Sequence, residues 1–202
     1  MANICVFGDS TAWGAWDLEK GGWVNRLWLF LADETKDQDK DIMLYNLSIS
    51  GGTTETILAR FENEAKIRRA DTLIFQTGGN DAAYEYQEGN YWVLPDTFKA
   101  NIDIIIQRAK KITNKIVFIG FKNVDETKTT PVSWCNFYYT NKNIQAYNAV
   151  MRDICGEQQV PFLPIFGLLN DDDLYDGLHP NAQGHRKIFE KVKDFLIENN
   201  LI

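Results

Sequence analysis

The chain is short of the residues that most readily betray a function. It has two histidines and three cysteines, and its 21 Lys and Arg stand against 28 Asp and Glu, so 202 residues carry a net charge of −7. A phosphate backbone needs a basic face, so this balance argues against a nucleic-acid partner. It argues equally against docking on an anionic membrane. No apolar run approaches the ~20 residues that span a bilayer, so no membrane insertion is expected. With a first strand beginning at about residue 3, the sequence as written leaves no room for a signal peptide. Cys5, Cys135 and Cys155 form an odd set without CxxC spacing, which suggests neither a disulfide framework nor a zinc knuckle. Cys5 and Cys155 fall in apolar patterns and read as small core residues. The expectation is a reduced, cytoplasmic protein with no metal. Three motifs are also missing: the GxxxxGK[ST] phosphate loop, a GxGxxG after the first strand, and the GxSxG elbow.

What is present is ordinary globular composition, 45% hydrophobic and 24% charged, in a length that suits a single domain over 1–202 with one core. No repeat, linker or low-complexity segment interrupts it. Ile4-Cys5-Val6-Phe7 reads as a strand buried on both faces, running into Gly8-Asp9-Ser10. A helix from Trp23 to Asp33 follows, then a strand from Ile42 to Leu47. One helix is expected from a Thr53 or Thr54 cap to Arg69, a strand from Thr72 to Gln76, and a helix from Pro95 to Lys111. The fourth strand, Lys115 to Gly120, leads into a connection from Phe121 to Tyr139, long enough to be functional or partly structured. A helix from Asn141 to Gly156, a strand from Val160 to Ile165 and a helix ending at Asn199 complete the chain. Five strands alternating with helices predict an α/β fold with a parallel sheet and helices on both faces.

Every chemically suggestive group falls just after a strand. That is the edge where open α/β sheets bind ligands. Ser10 there is a nucleophile, a ligand donor or only a helix cap. Of the two histidines, His185 aligns with Ile188, Phe189, Val192 and Leu196 on the last helix, so a structural role is expected. His179 lies in a loop, three residues after Asp176. A carboxylate so placed can fix the imidazole tautomer and leave Nε2 free to deprotonate a hydroxyl. Backbone N–H groups of Ser10 and Gly51 and the side-chain amide of Asn80 are available to an oxyanion. Each has a plainer reading, a turn for the glycine and a cap for Asn80. The acidic run Asp171 to Asp173 is expected to be a solvated loop rather than a cation site.

Taken together, Gly8-Asp9-Ser10, Gly51, Gly78-Gly79-Asn80-Asp81 and Asp176-Gly177-Leu178-His179 resemble the four ordered blocks of the SGNH/GDSL hydrolase family. They span residues 8 to 180. The one departure is Thr11, where the family name has leucine. The resemblance implies a flavodoxin-like three-layer α/β/α sandwich on a five-stranded parallel sheet. It implies a triad of Ser10, His179 and Asp176, with Ser10, Gly51 and Asn80 as the oxyanion hole. The expected activity is a serine esterase acting through an acyl-enzyme on an ester of a small molecule, lipid or sugar, without cofactor. The alternative is a glycan- or acyl-binding module on the same fold. Trp13, Tyr84 and Trp134 are the expected substrate-binding residues, from a set of loop aromatics that includes Trp16, Tyr86, Trp92, Phe137 and Tyr138.

Overall fold

The computed structural model describes residues 2–36 and 42–202. In chain order the elements are β1 (Ala2–Gly8), α1 (Ser10–Trp13), α2 (Trp23–Thr35), β2 (Ile42–Asn46), α3 (Thr54–Leu58), α4 (Phe61–Ile67), β3 (Thr72–Gln76) and β4 (Tyr84–Glu85). Then follow α5 (Pro95–Ala109), β5 (Lys115–Ile119), α6 (Glu126–Thr129), β6 (Phe137–Tyr138), α7 (Asn141–Glu157), β7 (Phe162–Leu163), a 3₁₀ turn (Asp171–Asp173) and α8 (Ala182–Glu198).

Five strands form a parallel sheet in the order β2-β1-β3-β5-β7. Alternation along its strands explains the layering. Cys5 and Phe7, Leu73 and Phe75, and Ile116 and Phe118 point to a core with α3, α4, α5 and α7. Their neighbours Ile4 and Val6, Ile74, and Val117 and Ile119 point to a second core with α2 and α8. Helices therefore cover both faces, as expected from strands apolar on both sides. Each fully buried Ile or Phe in these cores contributes roughly 1.5–3 kcal/mol of transfer free energy. The chain leaves β1 to one side for β2 and returns on the other for β3, so the strand order reverses beside the end of β1. In such sheets the reversal opens a crevice. Among the described residues no helix is long and apolar enough to cross a membrane.

Two expected elements differ. The helix expected from 53 to 69 is two helices, α3 and α4, broken at Ala59 and Arg60. Arg60 has φ −138°, and its guanidinium lies over the Phe7 ring, 5.5 Å from the centroid. The expected strand from Val160 to Ile165 is reduced to Phe162–Leu163. Pro161 and Pro164 lack the N–H groups that a longer ladder needs. The connection from Phe121 to Tyr139 is partly structured. It contains α6 and β6, and β6 pairs with β4 in an antiparallel ribbon.

Candidate active site

At the end of β1, Gly8 is packed too closely for a side chain. A Cβ there would lie 2.5 Å from that of Ala12 and 2.6 Å from the Gln76 carbonyl. Asp9 caps α1, its Oδ1 accepting from the Thr11 N–H at 2.9 Å. Ser10 is thereby the first residue of a short helix at the sheet edge, 9% exposed. Its Oγ is 3.0 Å from His179 Nε2, and His179 Nδ1 is 2.8 Å from Asp176 Oδ2. A ring nitrogen facing a carboxylate carries the proton, so Nε2 presents its lone pair to the hydroxyl.

Asp176 also organises the turn that bears the histidine. Its Oδ1 accepts from the N–H groups of Leu178 at 2.9 Å and His179 at 2.7 Å. The Trp16 indole N–H donates to its Oδ2 at 3.3 Å, and the Trp16 backbone N–H donates to the Pro180 carbonyl at 2.9 Å. Burial acts to raise the Asp176 pKa. The hydrogen bonds from the His179 ring and from the two backbone N–H groups override it and hold the carboxyl at about 2.

Asn80 is fixed at both ends of its amide. Nδ2 donates to the Gly52 carbonyl at 2.9 Å and Oδ1 accepts from the Tyr139 hydroxyl at 2.9 Å. The neighbouring Gly78 has φ +107°, and a Cβ there would strike the Phe121 ring. Gly51 sits in a turn tied to β1, where Ile49 N–H donates to the Gly8 carbonyl and Gly52 N–H to the Ile49 carbonyl. Asp81 is wholly buried and accepts from both the N–H and the hydroxyl of Thr54. Thr54 in turn accepts from Asn101 at 2.9 Å. Burial raises the Asp81 pKa to about 7 against those hydrogen bonds. This support was not read from the sequence, although Asp81 directly follows Asn80.

Lys122 was missed outright. It is 6% exposed, and its Nζ donates to the carbonyl of Leu178. With Asp9, Ser10, Asn80 and Tyr139 it lines a small pocket of about 40 Å³. The only signal was a lone cation two residues beyond the apolar fourth strand, on the edge already under suspicion.

On the solvent side lies an open cleft of about 510 Å³ lined by Trp13, Trp16, Trp134, Tyr175, Asp176 and His179. The Trp134 ring stacks on the imidazole at 5.7 Å, and Trp16 meets it edge-on at 6.2 Å. Trp13, at the end of α1, and Trp134 both line this cleft. Tyr84 does not. It is 7% exposed in β4, with its ring against Tyr91 at 5.1 Å, and does not line the cleft. Trp92 and Phe137 stack on each other at 4.3 Å. Tyr175, unmarked by the sequence reading, takes a place in the wall.

His185 is structural, as expected. It is fully buried, with Nδ1 accepting from the Trp23 N–H at 3.2 Å and Nε2 donating to the Ala15 carbonyl at 2.8 Å. Asp171 and Asp172 are exposed, as expected of a solvated loop, and only Asp173 departs from it. Asp173 is buried and paired with Lys187 at 2.6 Å, and its carboxylate accepts from the Asn170 N–H.

Fold and sequence together define the class: an ester-hydrolysing enzyme built on an α/β sheet. The family model for GDSL-like lipases and acylhydrolases matches residues 6–187, and the chain belongs to that family. Esterase TesA of Pseudomonas aeruginosa is 25% identical over 195 residues, covering 94% of this chain and 85% of the relative. A lipase/acylhydrolase from Enterococcus faecalis has a similar fold (TM-score 0.77, 20% identity, 97% and 95% of the two chains). So does Axe2, an acetylxylan esterase from Geobacillus stearothermophilus (TM-score 0.77, 18% identity, 96% and 94%).

Proposed function

We propose that this protein is a serine esterase that cleaves carboxylic esters through an acyl-enzyme. One observation carries the reading: the unbroken hydrogen-bonded chain Ser10 Oγ–His179–Asp176, at 3.0 and 2.8 Å. Ser10 Oγ attacks the ester carbonyl while its proton passes to His179 Nε2. Asp176 holds the tautomer and stabilises the imidazolium. The Ser10 and Gly51 N–H groups and the Asn80 amide take the developing oxyanion. As the tetrahedral intermediate collapses, His179 returns the proton to the departing alcohol. Water then repeats the sequence on the acyl-enzyme and frees Ser10.

The geometry also orients the substrate. The acid that protonates the leaving oxygen must lie within hydrogen-bond reach of it. The alcohol half therefore belongs on the His179 side, in the cleft walled by Trp13, Trp16, Trp134 and Tyr175. Exposed indole faces suit a flat or ring-shaped alcohol such as a sugar, and acylated sugars are the substrate class proposed. Axe2, similar in fold, is named for an acetylated polysaccharide.

Turnover of p-nitrophenyl acetate and of acetylated oligosaccharides tests the reading. Ser10→Ala is expected to lower kcat by about 10³-fold or more. A fluorophosphonate is expected to label Ser10 in the native protein and nothing in the variant. A glycan- or acyl-binding module would have no activated hydroxyl and would escape labelling. Retention of most activity by Ser10→Ala would sink the proposal.

A further inference from the structure

Lys122 is a buried cation that the acyl-transfer scheme does not use. It stands three residues beyond the end of β5, with its ammonium under the turn that carries the histidine. Its hydrogen bond goes to the carbonyl of Leu178, the residue immediately before His179. The N–H of the same Leu178 is held by Asp176 Oδ1 at 2.9 Å. One peptide turn is thus gripped from within by Asp176 and from beneath by Lys122.

Charges converge on this ammonium from several elements. Asp9 follows β1, Asp176 and His179 lie on the turn above, Tyr139 closes the connection from β5, and His185 projects from α8. Asp9 and Lys122 line the same small cavity, about 40 Å³, together with Ser10. Burial pulls the Lys122 pKa down to about 8, while Asp9 and Asp176 act to raise it. Burial pushes Asp9 up, and Lys122 is among the groups drawing it back. Two buried charges that share a cavity are poor material for stability, because well-packed apolar side chains of similar volume hold a fold as well or better. Its place against the reacting residues gives it another use.

We propose that Lys122 is a positioning residue for the reaction. Its ammonium fastens the Leu178 carbonyl, and so the imidazole of His179, to the end of β5, with Asp9 beside Ser10 as its counter-charge. The inference rests on the serine-esterase reading and extends it. Asp9, the cap that presents Ser10, lines the same cavity as the cation that holds the turn of His179.

The test compares Lys122→Met, Lys122→Arg and the double variant Asp9→Asn/Lys122→Met, in which Asn keeps the cap on Thr11. With p-nitrophenyl acetate at pH 7, Lys122→Met and the double variant are expected to lose about 10–100-fold in kcat, as for a reacting group displaced by a fraction of an ångström. KM is expected to change by less than about threefold. A low-field proton resonance of His179 Nδ1–H is expected in the native protein, from its 2.8 Å bond to Asp176, and is expected to broaden in these variants. Lys122→Arg keeps a donor and a permanent charge, with the adjoining cavity to receive the larger head. It is expected to recover most of kcat and to lack the decline above about pH 8 that deprotonation of Lys122 is expected to bring to the native profile. Should Lys122→Met fail to fold, the double variant and the arginine pH profile carry the test. The proposal is overturned if kcat and the His179 resonance stay native in both methionine-containing variants, or if the alkaline decline persists unchanged in Lys122→Arg. Fluorophosphonate labelling of the native protein separates the two failures. An unlabelled Ser10 ends the esterase reading, whereas labelled protein with native kinetics in the Lys122 variants ends this inference alone.

Discussion

The two histidines lie on neighbouring parts of one sheet edge and show what turns an imidazole into a base. His185 has both nitrogens committed to backbone groups, one accepting from Trp23 and one donating to Ala15. Burial drives its pKa down to about 4, against a weaker upward pull from the Ala15 carbonyl and Asp17. It can neither take a proton from a ligand nor hold one at neutral pH. His179 has a carboxylate on Nδ1 and a hydroxyl on Nε2, and its side chain keeps some contact with solvent. In the proposed function the same ring is a rivet in one place and a proton carrier in the other. An acid behind it and an uncommitted nitrogen in front make the difference.

Substitutions that strip each ring of its partners break the comparison most severely. His179→Ala is expected to lower kcat for p-nitrophenyl acetate by about 10³-fold or more, with its urea midpoint near the native value. His185→Leu is expected to do the reverse. It orphans the buried Trp23 N–H and Ala15 carbonyl, which costs about 4 kcal/mol in urea unfolding, while the molecules still folded turn over at close to the native rate. Comparable loss of kcat in the two variants would dissolve the distinction.

Acid sharpens it further. Between about pH 6.5 and 4 the unfolded chain protonates His185 and the folded protein does not. The stability from the neutral ring is therefore complete above pH 6.5 and is lost as pH falls toward 4, amounting to about 3 kcal/mol. Urea unfolding of native protein and His185→Leu across that range should show the native curve falling more steeply by that amount. The smallest effect concerns the acid behind His179. Trp16→Phe keeps the ring and deletes the indole donor to Asp176, and kcat is expected to fall only about threefold.

Much of this was legible in the sequence because it is local. Apolar runs on both faces of β1, β3 and β5 disclosed a covered parallel sheet, and the blocks bearing Ser10, Gly51, Asn80 and His179 each come after one of its strands. His185 could be set aside on helical spacing alone. What escaped depends on packing between distant segments. Nothing within Phe121-Lys122-Asn123 reveals that the lysine turns inward to meet residue 178. The helix breaks at Arg60, whose guanidinium lies over the ring of Phe7, some fifty residues earlier in the chain. Tyr84 and Tyr175 both sit among polar loop residues; one is drawn into a two-stranded ribbon and the other is left at the cleft, because only the first has a partner strand. Tyr175 did have one local clue, its place beside Asp176.

The stacking of Trp134 on His179, at 5.7 Å and 27° between planes, has a consequence beyond shaping the cleft. In the proposed cycle the imidazole is cationic for part of every turnover and neutral for the rest. An indole face is electron-rich without carrying a charge, and a cation over it gains about 0.5–2 kcal/mol that a neutral ring does not. Trp134 thus acts as a counter-ion only while there is an ion to counter. A carboxylate in its place would bias His179 toward protonation at rest and blunt it as a base. The indole favours the charged ring during the reaction and leaves it free to accept a proton before it.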